Sequence, residues 1–325
     1  MNFKTVIVTG INGNVGQGIL RNIRNTYKDI KLIGTDVASF TCANYLCDNF
    51  YQLPFAYDHN YISEIFKIIK QENIDLIIPS TDYEVYYLSK YKSLLNVKIA
   101  ASDEEISKIY LDKYLSYLHH KKHDIPFAKT WLPKDYDFSC KDIIIKPREG
   151  RGSRGIEINP KDPSNYSDSY IIQSYEKGVE ITSAVYVNQN NKLHGVFTME
   201  RELTNGTTTK SKVVFDYDNQ IYEIAEKMIS LKGLKGSFNI QSIVNHNGDV
   251  IPFEINCRIS GTNSIRHNLG FQDVKYTLQE FLYNELPDKP KPINGMATRI
   301  LLDVIYPEIT DEKNINNSSS NYIIY

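Results

Sequence analysis

Apolar runs alternate with amphipathic segments over the first hundred residues. Three runs have the length and apolar content of buried strands: KTVIVTG, IKLIGTD and IDLIIPSTD. Three segments between and after them have helical spacing: GQGILRNIRN, YISEIFKIIKQEN and EVYYLSKY. This alternation predicts βαβ units and a parallel, doubly wound sheet. Ligands of such sheets bind beyond the carboxyl ends of the strands, which here read TGINGN and PSTDYE.

The remainder of the chain changes pattern. A helical stretch, SDEEISKIYLDKYLSYLHHKKH, is followed by strand-loop-strand patterns in DIIIKPREGRGSRGIEI and YIIQSYEKGVEITSAVYVN. An amphipathic helix is predicted in QIYEIAEKMISLKG. The strand pair GSFNIQSIVNHNGDVIPFEINCR carries a hairpin signal at Asn247-Gly248. The second part of the chain is therefore predicted to consist mainly of paired strands.

Polar side chains alternate along the last of these strands. Glu254, Asn256 and Arg258 are two residues apart, so in a strand they project from the same face. Asn239 and Gln241 repeat the alternation on the preceding strand. Carboxylate and amide oxygens with a guanidinium group suit a hard divalent cation and phosphate. For one such strand taken alone, a solvated sheet face is the favoured interpretation.

A second motif places a lysine before a glycine-rich loop. Lys146 ends an apolar strand, and the following loop contains Gly150, Gly152, Ser153 and Gly155 together with three arginines. Backbone N–H groups and cations in such a loop can cover a triphosphate, while the lysine neutralises phosphate oxygens from the strand. A basic surface hairpin is the alternative interpretation.

A third glycine motif lies at the first strand end. Gly10, Gly13 and Gly16 separate a strand from a helix, and Asp36 follows a second strand. The pattern is similar to a dinucleotide-binding fingerprint, although its spacing differs from G-x-G-x-x-G. A tight turn in a sheet that binds no nucleotide is the alternative, and an NAD-dependent oxidoreductase would rest on these residues alone.

Composition limits the partners and the compartment. The 325 residues are 41% hydrophobic and 23% charged, with a net charge of −2, so no basic field favours nucleic acid or an anionic membrane. The four cysteines form no C-x-x-C pair, which favours a reducing compartment. The sequence has no 18-residue apolar run and no signal-peptide pattern. We therefore expect a cytoplasmic protein without nucleic acid or membrane partners.

The order of these motifs resembles the ATP-grasp superfamily. It comprises Lys113, the glycine loop after Lys146, the segment 173–180, N-x-Q at Asn239 and E-x-N-x-R at Glu254. The resemblance is greatest to the branch of the carbamoyl-phosphate synthetase large chain and the pyrrolysine-pathway ligase, and it extends to the opening VTGINGNVGQGILRNIR. It implies a mixed α/β and α+β fold. The implied domains are a Rossmann-like domain (1–110), a lid subdomain (111–175) and a C-terminal antiparallel subdomain (176–325).

The resemblance also implies a role for each motif residue. It implies ATP and Mg²⁺ as cofactors. Two metal ions are expected, and Mn²⁺ is the alternative metal. The implied nucleotide-binding residues are Lys113, Lys146, Gly150, Gly152, Ser153, Gly155, Gln173, Ser174, Tyr175, Glu180, Asn239 and Gln241. The implied metal ligands are Gln241, Glu254 and Asn256. The implied catalytic residues are Arg258, Lys146, Arg201 and Lys210. In this superfamily the Rossmann-like domain does not hold the nucleotide, which disfavours the NAD interpretation.

For three sets of residues, a structural role is an alternative to a functional one. Lys210 also fits a solvated hairpin tip, and Cys257, where many relatives have proline, fits buried packing better than a reactive thiol. The HHKKH run at 119–123 has histidines at helical metal-ligand spacing but no carboxylate or cysteine beside them. We therefore expect a solvated helix end there and no zinc site.

The expected activity is an ATP-dependent carboxylate–amine ligase that forms an acyl phosphate and releases ADP and phosphate. Its partners would be a small-molecule carboxylate and an amine, neither of which the sequence identifies, and a homodimer stays open. A kinase on the same fold is the nearest alternative, and a non-catalytic nucleotide-binding regulator is a further one. The fate of the acyl phosphate separates the ligase from the kinase.

Overall fold

The first sheet is parallel and has five strands. The computed structural model describes residues 4–150, 152, 154–204, 206–315, 317 and 319–325. The strands are β1 (Lys4–Val8), β2 (Ile30–Asp36), β3 (Asn49–Gln52), β4 (Leu76–Ile78) and β5 (Lys98–Ile99). The helices are α1 (Asn14–Thr26), α2 (Tyr61–Glu72), α3 (Asp82–Lys90), α4 (Lys92–Leu95) and α5 (Glu104–Leu111). The spatial order is β3-β2-β1-β4-β5, so the chain reverses direction across the sheet between β1 and β4.

Apolar burial on both faces explains why this sheet forms. Val6, Ile7 and Val8 are all fully buried in β1, as expected for a parallel strand covered by helices on each side. α1 buries Ile19 and Ile23 on its apolar face. The predicted doubly wound sheet is confirmed.

The carboxyl ends of β1 and β4 meet at the reversal point. Glu84 accepts hydrogen bonds from the Thr9 hydroxyl (2.7 Å) and the Thr81 hydroxyl (2.8 Å), and Thr81 caps α3 through a capping box. One carboxylate therefore ties the end of β1 to the start of α3. This arrangement places the first residue of α3, Asp82, at the crevice of the sheet.

The glycine-rich turn after β1 packs tightly against its own backbone. A Cβ at Gly16 would lie 2.7 Å from the Gly10 carbonyl oxygen, so close packing of the turn explains this glycine. The two oxygens of Asp36 accept from the backbone N–H groups of Asn12 (2.9 Å) and Ala38 (3.1 Å). These contacts favour the tight-turn interpretation over a dinucleotide site.

The second sheet is small and antiparallel. Its strands are β6 (Thr130–Trp131), β7 (Ile143–Pro147), β8 (Glu157–Ile158) and β9 (Tyr170–Ser174), in the order β6-β9-β7-β8. Helix α6 (Lys113–Lys122) precedes it. Asp112 caps this helix by accepting from the backbone N–H groups of Tyr114 and Leu115. Lys113 is therefore fixed at the first position of α6.

The prediction that residues 119–123 form a solvated helix end is wrong for His120. Its ring is fully buried and lies between the Tyr110 hydroxyl (3.2 Å) and the Pro126 carbonyl oxygen (3.1 Å). Burial lowers the pKa of His120 to about 4, so the ring is neutral. No cluster of three or more His, Cys, Asp or Glu side chains able to hold a metal ion occurs within the described residues.

The third sheet is antiparallel and has six strands. They are β10 (Gly178–Val187), β11 (Leu193–Thr204), β12 (Thr207–Val213), β13 (Gly236–Asn245), β14 (Val250–Asn256) and β15 (Met296–Thr298), in the order β14-β13-β10-β11-β12-β15. The accompanying helices are α7 (Asp218–Ser230), α8 (Asn263–Asn268) and α9 (Asp273–Thr277), and β16 (Val304–Ile305) pairs with β17 (Ile323–Ile324). The antiparallel sheets confirm the predicted fold class. The three domain limits stay predictions.

One apolar cluster joins the first and third sheets. It contains Ile7 and Ile77 from the first sheet and Phe238 and Ile240 from the third. Cys257 belongs to the same cluster and is buried, and burial raises the pKa of its thiol. The continuous packing fixes the end of β4 relative to β14.

A fully buried ion pair organises the segment after β14. The side chains of Arg266 and Asp273 are inaccessible to solvent and form a salt bridge. Arg266 also donates to the hydroxyls of Ser260 (2.8 Å) and Thr262 (2.9 Å), while the Ser237 hydroxyl donates to Asp273 (2.6 Å). The network holds the loop that follows Arg258.

The helices are short. α1 and α7 have 13 residues each. Across the described ranges, no helix combines the length and apolar character that crossing a bilayer requires.

Candidate active site

Three polar side chains form a hydrogen-bonded row on β13 and β14. The strand register places Gln241 opposite Glu254 and Asn239 opposite Asn256. The Gln241 amide donates to Asn256 Oδ1 (2.8 Å), and the Asn256 amide donates to Glu254 Oε1 (3.1 Å). Asn239 is buried and accepts from the Thr182 hydroxyl on β10 (2.9 Å). The row has Glu254 as its carboxylate.

Two buried lysines lie near this row. Lys146 on β7 is 5% exposed, and its ammonium group donates to the Phe253 carbonyl oxygen at 3.4 Å. Lys113 is 7% exposed and donates to the Gly150 carbonyl oxygen, also at 3.4 Å. Buried lysines require nearby negative charge, because desolvation penalises the ammonium group.

The charges of the lysines and Glu254 are coupled. Burial alone would raise the pKa of the Glu254 carboxyl, but the charges of Lys113 and Lys146, the Asn256 hydrogen bond and the charge of Arg258 hold it below its usual value. Burial lowers the pKa of Lys146 to about 8; Glu254 opposes this shift and Lys113 adds to it. The site therefore holds more buried positive charge than one carboxylate balances.

Arg258 connects the third sheet to the first. Its Nε donates to Oδ2 of Asp82 at 3.0 Å, and both side chains are largely buried. Its Nη1 donates to the Ile259 carbonyl oxygen (3.2 Å). Asp82, Lys113, Glu254 and Asn256 together line a narrow cavity of about 10 Å³. The candidate site thus combines side chains from α3, α6 and β14.

Arg201 and Glu180 form an ion pair at one end of the row. Arg201 on β11 donates to Glu180 on β10 and to the Gln241 side-chain oxygen. Lys210, in contrast, is half-exposed on β12 and pairs with Glu202 at 3.0 Å. The structure brings Arg201 to the row and leaves Lys210 on the outer part of the sheet.

Hydrogen bonds fix the end of β9 and the start of its connection to β10. Gln173 is buried and donates to the Thr130 hydroxyl (3.0 Å) and the Phe253 carbonyl oxygen (3.4 Å). The backbone N–H groups of Ser174 and Tyr175 donate to carbonyl oxygens at 2.8 Å and 2.9 Å. These two N–H groups are therefore engaged, whereas the Tyr175 side chain is 37% exposed.

The glycine-rich loop begins beside Lys113. Arg148 forms an ion pair with Asp112, the cap of α6, and its carbonyl oxygen accepts from the Lys113 backbone N–H (3.0 Å). Gly152 and Gly155 have positive φ angles of 65° and 68°. Ser153, which the sequence assigned to nucleotide binding, lies outside the described residues.

Two family models match consecutive parts of the chain. Residues 8–100 match the family described as "PylC-like, N-terminal domain". Residues 110–262, which contain the two lysines, the glycine loop and the polar row, match the family described as "ATP-grasp domain". Residues 110–262 therefore form an ATP-grasp domain. The predicted resemblance is confirmed, and with it the prediction of an ATP-grasp enzyme.

Solved structures show the same fold at low sequence identity. N5-carboxyaminoimidazole synthetase from Staphylococcus aureus, complexed with ADP, has a TM-score of 0.74 and 16% identity over 92% of this chain and 82% of its own. N5-carboxyaminoimidazole ribonucleotide synthetase from Thermotoga maritima has a TM-score of 0.70 and 18% identity over 94% and 85%. L-amino acid ligase from Bacillus licheniformis has a TM-score of 0.71 and 12% identity over 88% and 75%. No curated protein matches the sequence significantly.

Sequence reasoning did not single out two acidic residues of the candidate site. Asp112 caps α6 and binds Arg148, and Asp82 binds Arg258. A signal for Asp112 exists, because an aspartate directly before a helix is a common N-cap. Asp82 had only a positional signal at the strand end PSTDYE, since its partner is 176 residues away in sequence.

Proposed function

We propose that this ATP-grasp enzyme joins a carboxylate to an amine by way of an acyl phosphate. In the first step a carboxylate oxygen attacks the γ-phosphorus of ATP, and ADP leaves. In the second step the amine nitrogen forms a bond to the acyl carbon, the bond from that carbon to the phosphate oxygen breaks, and phosphate leaves with the proton that the amine gives up. The observation that carries this proposal is the hydrogen-bonded row of Glu254, Asn256 and Gln241 near the buried Lys113 and Lys146.

The donor set fits Mg²⁺. Glu254 supplies a carboxylate with a lowered pKa, and Gln241 and Asn256 supply amide oxygens that each accept one hydrogen bond and keep a second lone pair. Mg²⁺ in nucleotide sites is held by one or two carboxylates together with substrate phosphates. These three residues would hold the metal, and the bound ion would neutralise developing charge on the transferred phosphoryl group.

The remaining binding roles follow the geometry of the lid. Lys113 and Lys146 would neutralise phosphate oxygens, and Gly150, Gly152 and Gly155 would bring backbone N–H groups over them. Gln173, Ser174 and Tyr175 would line the adenine, and Asn239 would support the row from behind. Glu180 was assigned to the ribose, but its ion pair with Arg201 makes it equally an anchor for that arginine.

Arg258 is the residue proposed to hold the substrate carboxylate or the oxyanion that forms when the amine attacks. The hydrogen bond to Asp82 fixes the guanidinium group before substrate binds, so little reorganisation is needed during the reaction. Arg201 would act by orienting Gln241. Lys210 stays a prediction that requires movement of β12 toward the site.

The low pKa of Lys146 predicts a pH-dependent affinity for ATP. Because only the ammonium form attracts phosphate, affinity should weaken as pH rises through about 8. Between pH 7 and pH 9 we expect the Kd for Mg-ATP to rise about tenfold, measured by calorimetric titration. Lys146→Arg is the matched variant, because arginine stays charged in this range, and it should show no such rise. An identical pH profile in both proteins would contradict the assignment.

An isotope experiment tests the ligase proposal. Candidate carboxylates labelled with ¹⁸O are incubated with Mg-ATP and candidate amines, and the released phosphate is analysed by mass spectrometry. We expect one labelled oxygen in phosphate, because the attacking oxygen leaves with phosphorus, and ADP formation that is strongly accelerated by the amine. A stable phosphorylated product without amine, and without label in free phosphate, would establish the kinase instead.

A further inference from the structure

One oxygen of Asp82 has no donor. Its Oδ2 accepts from Arg258 Nε at 3.0 Å, whereas its Oδ1 is buried and has no hydrogen-bond partner in the part of the chain that the structure describes. Asp82 lines the same narrow cavity as Lys113, Glu254 and Asn256. The unpaired oxygen therefore belongs to a side chain at the wall of the candidate active site.

The hydrogen bonds that Arg258 and Lys113 form do not reach Oδ1 of Asp82. Arg258 donates to Oδ2 of Asp82 and to the Ile259 carbonyl oxygen, and the Lys113 ammonium group donates to the Gly150 carbonyl oxygen. A buried carboxylate oxygen without a donor is costly, so native structures retain few of them without a functional reason. The missing donor is therefore expected from a molecule that enters the cavity.

We propose that Oδ1 of Asp82 accepts a hydrogen bond from an N–H group of the amine substrate and thereby positions the amine for attack. This inference rests on the proposed ligase function. Asp82 and Arg258 are joined at 3.0 Å, so a carboxylate held by Arg258 and an amine held by Asp82 lie side by side. These are the two groups that the reaction must join. Arg258 thus orients the carboxylate substrate, and Asp82 orients the amine.

The size of the cavity and its acceptors suit a small N–H donor. Its volume of about 10 Å³ admits one group the size of water or an amino group. Asp82 and Glu254 supply carboxylate acceptors to it and Lys113 lines it as well, so the acceptors and not a net charge select the N–H group. The position beside Glu254, at the proposed phosphoryl-transfer end, is where the amine must attack.

Asp82→Asn is a sharp test of this hydrogen bond. The amide oxygen can still accept from Arg258, while the amide NH₂ replaces Oδ1 and turns an acceptor into a donor. Asp103→Asn is the matched control, because Asp103 is an exposed aspartate paired with Lys235. Thermal melting of both variants should stay close to that of the wild type, which establishes that the fold is intact.

The readout is binding of a probe amine and does not require turnover. Saturation-transfer NMR is recorded on Mg-ADP-loaded protein with methylammonium chloride, and with tetramethylammonium chloride as a cation without N–H. We expect a methylammonium signal in the wild type and in Asp103→Asn, and a loss of at least about fivefold in Asp82→Asn. Tetramethylammonium should give little signal in any of the three. Equal methylammonium signals in wild type and Asp82→Asn, or none in the wild type, would overturn the proposal.

The experiments give different results when the ligase proposal fails and when the role of Asp82 fails. If no carboxylate and amine pair yields labelled phosphate, yet methylammonium binding depends on Asp82, the amine site stands and the reaction is another one. If labelled phosphate forms and Asp82→Asn leaves both methylammonium binding and the KM for the amine unchanged, the ligase stands and the role of Asp82 is rejected.

Discussion

Glu254→Gln is expected to abolish ADP formation while it weakens Mg-ATP binding much less. The carboxylate lies within electrostatic reach of two buried lysines and is the charged member of the proposed metal-binding row. Its charge matters most when charge builds up on the transferred phosphoryl group, so its loss acts mainly on the transition state. Removal of one preorganised electrostatic partner typically costs about 10²–10³ in kcat, and loss of a metal ligand adds to this.

The measurement compares kcat with the Kd for Mg-ATP in both proteins. Glutamine keeps the shape and one oxygen, so the comparison isolates the charge. Glu64→Gln is the control, because Glu64 forms an exposed ion pair with Lys67 on α2. The control should keep wild-type kinetics. A wild-type kcat in Glu254→Gln would remove the metal site from the proposed function.

Arg266→Met is expected to lower the free energy of unfolding by about 3–5 kcal/mol. Arg266 and Asp273 are fully buried, and the substitution leaves the Asp273 carboxylate charged, buried and unpaired by arginine. The hydroxyls of Ser260 and Thr262 also lose their donor. Methionine fills similar space, so the loss reports mainly the uncompensated charge.

Urea unfolding at neutral pH measures this effect. Lys235→Met is the matched control, because the Lys235–Asp103 pair is about half-exposed and such pairs contribute little. The double variant Arg266→Met/Asp273→Leu should recover part of the loss, since it removes the unpaired carboxylate as well. A loss below about 1 kcal/mol in Arg266→Met would mean that Asp273 finds another partner or takes up a proton.

Local pattern was sufficient to predict most of the fold. The apolar runs of β1, β2 and β4 and the helical spacing of α1 and α2 are properties of neighbouring residues, and both periods follow from backbone geometry alone. The alternation of Asn239 and Gln241, and of Glu254 and Asn256, placed each pair on one face of its strand for the same reason. One prediction is wrong. His120 was expected in solvent, but packing against Tyr110 and Pro126 buried it, and no local pattern reports such packing.

Local pattern in the sequence was enough to predict the order of elements, the polar face of β13 and β14, and the lysines and glycines of the candidate site. Which charges meet depends on tertiary packing. Arg258 pairs with Asp82 across 176 residues, and Arg201 pairs with Glu180 beside Gln241. The physical reason is that strand and helix periods act over a few residues, whereas an ion pair depends on how separate sheets pack together. The apolar cluster shared by the first and third sheets fixes that packing, and with it the site.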